Sequence, residues 1–143
     1  MSEIVRVARQ WRGVRFSHQG RNRHGVDCAG LPWCVYNDLG VRLSDFRAYA
    51  HESNPELLLA HLREAFGPEV AAAPVGEGEI QPGDVILFKF HRQGRPHHLG
   101  IAADRPGAGL NYIDADGMQG YVAERRLSPK YLSYVTHIFP RPV

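Results

Sequence analysis

The chain has 143 residues, enough for one domain with its own hydrophobic core, and we expect a single domain over residues 1–143. Its composition, 43% hydrophobic and 22% charged, is that of an ordinary globular protein. A net charge of +2 argues against nucleic-acid binding, and no apolar run approaches the ~20 residues of a membrane span.

The chain start and the cysteine count indicate a cellular compartment. No basic region followed by an apolar one is present at the N-terminus, so we expect synthesis in the cytoplasm without a signal peptide. Two cysteines, Cys28 and Cys34, are too few for a disulfide framework. Because they are six residues apart on a predicted helix, they should lie on different faces, and Cys34 is expected in the core.

The first predicted helix covers residues 3–11, with Ser2 as its N-cap and Gly13 after its end. Residues 12–25 then form a predicted loop, which is either a solvated segment or one wall of a site. Its polar side chains are Arg12, Arg15, His18, Gln19, Arg21, Arg23 and His24.

A second predicted helix runs from Cys28 to Leu39, with Asp27 as its N-cap and Gly40 just past its end. Cys28 would then lie in the first turn, where free backbone N–H groups and the positive dipole end favour a thiolate. Pro32 is compatible only with a position near the helix start. These features make Cys28 a candidate nucleophile.

The rest of the chain predicts one more helix and then strands. The helix opens at Asn54-Pro55 and ends at Gly67-Pro68, residues 41–53 have no clear pattern, and residues 70–79 read as a linker. Five strands follow, at 85–90, 98–102, 110–115, 120–123 and 131–139, with a turn at 93–96 among those that separate them. Helices followed by an antiparallel meander predict an α+β fold.

A cysteine nucleophile needs a base, and the base needs a third group that orients it. His97 and His98 begin a predicted strand, and Asp114 is a polar residue in the next, otherwise apolar strand. An acceptor there would satisfy a histidine ring N–H. The alternatives are a core cysteine, a structurally satisfied histidine, and an Asp114 that forms a turn or an ion pair with Arg105 or Arg125.

The segment Gly25-Val26-Asp27-Cys28-Ala29-Gly30-Leu31 resembles the nucleophile motif of the NlpC-type cell-wall cysteine peptidases. The likeness is greatest to the branch found in phage tails, prophages and gene transfer agents, and it extends over nearly the whole chain. Further similar segments are residues 11–20, 81–88, 98–101, 112–115 and 139–142.

The resemblance implies a papain-like α+β domain, with N-terminal helices, the nucleophile at a helix N-terminus and a C-terminal antiparallel sheet. It implies Cys28 as nucleophile, His98 rather than His97 as base, and Asp114 as orienting residue, without a cofactor or metal. Asp114 stands where the family places His, Asn or Gln. A carboxylate there would stabilise the imidazolium and raise the pKa of His98.

Further site residues follow from the resemblance. Many members have a tyrosine at Phe16, whose hydroxyl helps the oxyanion hole, and serine is common at Ala29. Without that tyrosine, the hole would depend on the Cys28 backbone N–H and on His18 or Gln19 nearby. The predicted substrate-binding or oxyanion residues are Asp27, Phe16, His18, Gln19, Ala29 and His97.

The implied reaction is hydrolysis of an amide in peptidoglycan stem peptides, at the D-glutamyl–diaminopimelyl bond, by a phage tail-associated enzyme that meets the wall from outside. Stem peptides and phage tail proteins are the expected partners, and basic residues are candidates to bind the stem carboxylates: Arg12, Arg15, Arg21 and Arg23. Three alternatives stay open. They are another thiol amidase or acyltransferase, an inactive assembly or wall-binding module, and a metal site from Cys28, His97, His98 and Asp114.

Overall fold

The computed structural model describes residues 2–45, 55–90 and 97–140. The helices are α1 (Glu3–Gln10), α2 (Gly30–Asp38), α3 (Pro55–Phe66) and α4 (Pro129–Leu132), with a 3-10 turn at Glu77–Glu79. The strands are β1 (Arg21–Asn22), β2 (Gly25–Val26), β3 (Ala71–Ala72), β4 (Val85–Phe88), β5 (His98–Asp104), β6 (Leu110–Asp116), β7 (Tyr121–Arg126) and β8 (Val135–Phe139).

The N-terminal helix α1 forms as its sequence predicts. The Ser2 hydroxyl caps it by accepting a hydrogen bond from the Val5 N–H at 3.4 Å. Its apolar stripe, which includes Val7 and Ala8, is buried, and Trp11 packs beside it. Gly13 follows with a positive φ of 89°. Because cap, stripe and stop are all local signals, the sequence predicts this helix well.

The sheet has the strand order β3-β8-β4-β5-β6-β7, and all of its pairs are antiparallel. Strands β4 to β7 form the predicted meander, and β4 is central with all four residues buried. The predicted continuation of the meander is wrong, because β8 pairs with β4 and β3 instead of β7. The α+β fold class is confirmed.

The last predicted strand starts too early. Residues 131–139 were expected to be extended, but the strand covers only Val135–Phe139, and Tyr131 and Leu132 belong to α4. The Ser128 hydroxyl caps that helix by accepting from the Tyr131 N–H at 3.4 Å, and Pro129 takes the first helical position. This capping signal outweighs the extended propensity of the tyrosines.

Three short strands lie where loops were expected. β1 and β2 pair with each other inside the basic loop, and β3 pairs with β8 within the predicted linker. Each has two residues, which is too short for any period to appear in the sequence. The turn predicted at 93–96 and most of the unassigned segment 41–53 lie outside the described residues.

The sheet has two apolar faces. Val85 and Leu87 of β4 pack in one cluster with residues of α1 and α2, whereas Ile86 and Phe88 belong to a second cluster on the opposite face. The helices α1 and α2 therefore cover one face of the sheet. No helix in the described ranges is both long and apolar enough to span a bilayer.

A buried carboxylate fixes the turn that leads into α2. Asp27 is 2% exposed and accepts three hydrogen bonds, from the Gly30 N–H at 2.8 Å, the Arg21 guanidinium at 3.0 Å and the Gln19 N–H at 2.7 Å. The predicted N-cap and helix start are wrong by two residues, because α2 begins at Gly30 with Ala29 as its N-cap, yet the Asp27 carboxylate accepts from the first helical N–H. The hydrogen bond of Leu31 N–H to the Asp27 carbonyl already has helical spacing, so Cys28 still lies at the helix N-terminus.

The close packing at Gly30 generates a stability prediction. A Cβ at Gly30 would overlap the Gly20 carbonyl oxygen and lie 2.8 Å from an Arg21 guanidinium nitrogen, whereas a Cβ at Gly78 would meet no atom within 4 Å. We expect Gly30→Ala to lower the free energy of unfolding by about 1–3 kcal/mol and Gly78→Ala to change it by less than about 0.5 kcal/mol. Urea unfolding midpoints measure both. Equal midpoints would show that the turn does not need this close approach.

Candidate active site

The Cys28 side chain lies between the start of α2 and the start of β5. Its residue occupies the turn between Val26, the end of β2, and Gly30. The sulfur is 3.8 Å from the His97 carbonyl oxygen, and Cys28 is partly exposed. Cys34 is instead buried in the core, as predicted, and burial raises the pKa of its thiol to about 11. Of the two thiols, Cys28 is therefore the one placed for chemistry.

His98 and Asp114 meet across neighbouring strands. His98 opens β5 and Asp114 lies on β6, where the register of Ile101 with Ile113 places Asp114 opposite Gly100. Side chains two residues apart on a strand share a face, so His98 and Asp114 point the same way. Nε2 of His98 is 2.7 Å from Oδ2 of Asp114, and both residues are buried.

The ring of His98 is also an electrostatic partner of Cys28. Burial alone would lower the pKa of His98, but hydrogen bonds with Asp114 and Cys28 and the charges of both outweigh burial and raise that pKa to about 10. Since Nε2 faces Asp114, Nδ1 is the nitrogen left for the sulfur. The ring is thus an imidazolium at neutral pH, and a neighbouring imidazolium stabilises a thiolate.

Arg125 on β7 contacts the same carboxylate oxygen as His98. Its Nη2 is 2.6 Å from Oδ2 of Asp114 and 3.7 Å from Oδ2 of Asp116, and its guanidinium lies 5.1 Å from the centroid of the Tyr112 ring. The two sequence interpretations of Asp114, a histidine partner and an ion-pair partner of Arg125, therefore both hold. Two cations offset the cost of burying this carboxylate.

The remaining predicted site residues have different surroundings in the structure. The structure uses the Asp27 carboxylate to fix the turn, Ala29 is buried in the core, and the Gln19 N–H donates to Asp27 at a φ of 60°. Phe16 packs against the core beside Gly117. His18 and His97 are exposed, and the ring of His97 contacts Phe90. Their substrate-binding or oxyanion roles stay predictions.

The four arginines that were expected to bind stem carboxylates have different environments in the structure. The Arg21 side chain is 5% exposed and is paired with Asp27 and Asp45. Its guanidinium therefore holds these two carboxylates together and is not accessible to a carboxylate of the substrate. Arg12 lies by Glu124, and Arg23 stacks on the Trp11 ring at 3.8 Å. Arg15 is exposed. Sequence composition alone does not separate solvated arginines from buried ones.

The metal-site alternative needs three or more ligating side chains around one point. No such group of His, Cys, Asp and Glu occurs among residues 2–45, 55–90 and 97–140. The geometry of these residues therefore does not favour that alternative over a cysteine–histidine pair.

Residues 13–141 match the sequence profile of the NlpC/P60 family. The chain belongs to the NlpC/P60 family. The narrower likeness to phage-tail members of the family stays a prediction.

Individual relatives agree with this family assignment. The chain is 33% identical over 79 residues to the murein DD-endopeptidase MepH of Escherichia coli (strain K12), which is 55% of this chain and 24% of that protein. An NlpC/P60 family protein from Bacillus cereus ATCC 10987 has a TM-score of 0.64 at 20% identity, covering 96% of this chain and 40% of that one. The NlpC/P60 domain of the peptidoglycan hydrolase SagA has a TM-score of 0.62 at 19% identity, with 96% of each chain covered.

The chain thus spans 24% of the length of MepH and 40% of the Bacillus cereus chain. The structural matches show that its fold is that of NlpC/P60 domains, which confirms the papain-like α+β prediction.

Some residues near the site are not predicted from the sequence. The sequence indicates Arg125 only as an ion-pair partner, and it gives no sign of Phe90, Tyr131 and Tyr134 as site residues because their segments have the pattern of plain strands. Phe90 has its ring centroid 5.2 Å from that of His98, and it contacts both tyrosines. The aromatic residues at the predicted strand ends were the available signal.

The hydrogen bond between Asp114 and His98 leads to a prediction for the pKa of His98. Since the carboxylate helps to raise the pKa of His98 to about 10, Asp114→Asn should lower that pKa by about 1–3 pH units. The imidazolium, which is kept until the pH rises through this pKa, would then be lost at lower pH. NMR titration of the His98 ring measures the change, and Asp104→Asn, on the same strand as His98, is the matched control. An unchanged titration in Asp114→Asn would contradict the assigned hydrogen bond.

Proposed function

We propose that this NlpC/P60 domain is a cysteine peptidase that hydrolyses an amide bond in peptidoglycan stem peptides. One observation carries the proposal, namely that a partly exposed Cys28 adjoins a buried His98 whose ring is hydrogen-bonded to Asp114 at 2.7 Å. A nucleophile, a base and an orienting group in that order are what acyl transfer through a thioester requires. Family membership supports the substrate class, as does the similarity to a protein named a murein endopeptidase.

The mechanism follows from the charges. The Cys28 thiolate attacks the amide carbonyl carbon, and the His98 imidazolium gives its proton to the leaving amine as the C–N bond breaks. Asp114 holds the ring and stabilises its positive charge. Water, deprotonated by the now neutral His98, then attacks the thioester. The products are a carboxylic acid and the regenerated thiolate–imidazolium pair.

A more specific proposal concerns which amide bond is cleaved and where the enzyme acts. We infer cleavage between D-glutamyl and diaminopimelyl residues, by a phage tail-associated enzyme made in the cytoplasm and acting at the cell wall, with phage tail proteins as partners. These inferences rest on the resemblance of the sequence motifs. The relative MepH is by name a DD-endopeptidase, so mass spectrometry of the products has to separate the two bond types.

The first experiment measures the reactivity of Cys28 with an alkylating probe as a function of pH, with Cys34 read separately by mass spectrometry. We expect fast labelling of Cys28 well below pH 8, since the imidazolium stabilises the thiolate, and a loss of at least about tenfold at pH 7 in His98→Ala. Slow labelling that does not respond to the substitution would refute a working pair and favour an inactive wall-binding module.

The same variants are then assayed on peptidoglycan fragments. Cys28→Ala and His98→Ala should each lower the hydrolysis rate by at least about 10³, because each removes a member of one acting unit. Cys34→Ala is the matched control. This thiol is buried in the core and has no part in the proposed reaction, so its loss should affect stability only. Hydrolysis that survives in Cys28→Ala would exclude the proposed mechanism.

Phe16 offers a gain-of-function test. Its ring cannot donate a hydrogen bond, and it packs beside Gly117 next to the β6–β7 turn. If the oxyanion hole lacks one donor, Phe16→Tyr should raise kcat, by up to the roughly 10²–10³ that one such donor contributes. Phe16→Leu, which also lacks a hydroxyl, is the control. A rate in Phe16→Tyr no higher than that of the wild type would show that position 16 does not serve the oxyanion.

A further inference from the structure

A second concave site adjoins the His98–Asp114 pair. It is a cavity of about 240 Å³, and we call it the aromatic pocket; its lining residues are Phe90, Tyr112, Asp116, Arg125, Lys130, Tyr131 and Tyr134. Its place next to the pair is given by two contacts. The Phe90 ring lies against the His98 ring at 5.2 Å, and Arg125 binds the Asp114 carboxylate.

The walls of the aromatic pocket are held by ring-to-ring packing. Tyr131 lies 6.3 Å from Phe90, 6.0 Å from Tyr112 and 5.9 Å from Tyr134, measured between ring centroids. The contacts of Tyr131 with Phe90 and Tyr134 are edge-to-face and the contact with Tyr112 is tilted, and such ring contacts orient aromatic side chains. The pocket therefore has apolar walls of defined shape and suits a short aliphatic stem.

The polar groups of the pocket are mainly donors. When the adjoining pair is included, three cations (Arg125, Lys130 and His98) stand against two carboxylates (Asp114 and Asp116), and Lys130 is exposed. Nη2 of Arg125 serves both Asp114 and Asp116, while its Nε is buried and has no hydrogen-bond partner within the described part of the chain. The Tyr112 hydroxyl is also buried and has no hydrogen-bond partner among the described residues. A group that accepts hydrogen bonds and carries negative charge complements these donors.

A cationic ligand fits the pocket less well, although aromatic rings often bind cations. The Arg125 guanidinium already lies over the Tyr112 ring, and Lys130 lines the same cavity. A further positive charge would be repelled by both. The balance of charges therefore selects an anion.

We propose that the aromatic pocket binds a carboxylate carried on an aliphatic stem, and that this is a carboxylate of the wall peptide. The carboxylate would contact Lys130 and Arg125, and the stem would pack on the rings of Tyr131 and Tyr134. The proposal rests on the proposed function for the identity of the ligand. It adds a specificity site on the Asp114 side of the histidine, which neither the motifs nor the family assignment provides.

The test compares the tripeptide L-alanyl-γ-D-glutamyl-meso-diaminopimelate in two forms, with its diaminopimelyl carboxylates free or converted to amides. Binding to the Cys28→Ala protein is measured by NMR titration, so that it does not depend on hydrolysis. We expect the free form to bind about 3- to 10-fold more tightly, the range for one partly exposed charge pair. Lys130→Gln should bring this ratio close to one.

Arg126→Gln is the matched control, because Arg126 neighbours Arg125 on β7, is exposed and points to the other face of the strand. Like Lys130→Gln, Arg126→Gln removes one positive charge, and it should leave the affinity ratio of the free and amidated peptides unchanged. Equal binding of the two peptide forms, a ratio unchanged by Lys130→Gln, or no binding of either form would overturn the proposal.

Failure of the proposed function has a different signature. It would appear as absent hydrolysis of peptidoglycan fragments by the wild-type protein, while carboxylate-dependent binding persists. Hydrolysis by the wild type without discrimination between the free and amidated forms would reject the pocket alone.

Discussion

The buried carboxylate of Asp27 is the constraint on which the position of Cys28 depends. Its two oxygens accept hydrogen bonds from Gln19, Arg21 and Gly30, so the basic loop, the first short strand and the start of α2 meet at one group. Cys28 is the next residue along the chain. Because a charged acceptor away from water is costly unless it is fully paired, this arrangement tolerates little movement. The turn therefore presents the sulfur in a defined place beside β5.

A second buried carboxylate organises the reacting side of the site. Asp114 accepts from His98 and Arg125 through the same oxygen, which places one buried carboxylate between two cationic side chains next to Cys28. The carboxylate is stabilised by both neighbours. A buried aspartate is thus compatible with its position because β7 supplies the compensating cation from the neighbouring strand.

The path of the chain after β7 shapes the space around these side chains. The strand β8 returns to pair with β4, and α4 lies between β7 and β8 in the chain. Tyr131 and Tyr134 of this segment reach Phe90, which follows β4, and so form the aromatic pocket beside His98. The pairing of β8 with β4, which differs from the predicted meander, therefore provides a surface with its own charge and shape next to His98.

The sequence by itself determined the α+β class, the place of Cys28 next to a helix start and the burial of Cys34 in the core. These depend on local signals: the aspartate before the helix, the glycine after α2, and the periods of helix and strand. The residue pattern also offered His97, His98 and Asp114 as partners, and motif likeness selected His98 over His97. Only the tertiary structure decided that Arg125 and His98 bind the same Asp114 oxygen, that Arg21 is buried between two carboxylates, and that β8 lies beside β4. These depend on strand register and on pairing between distant segments, which residue spacing does not encode locally.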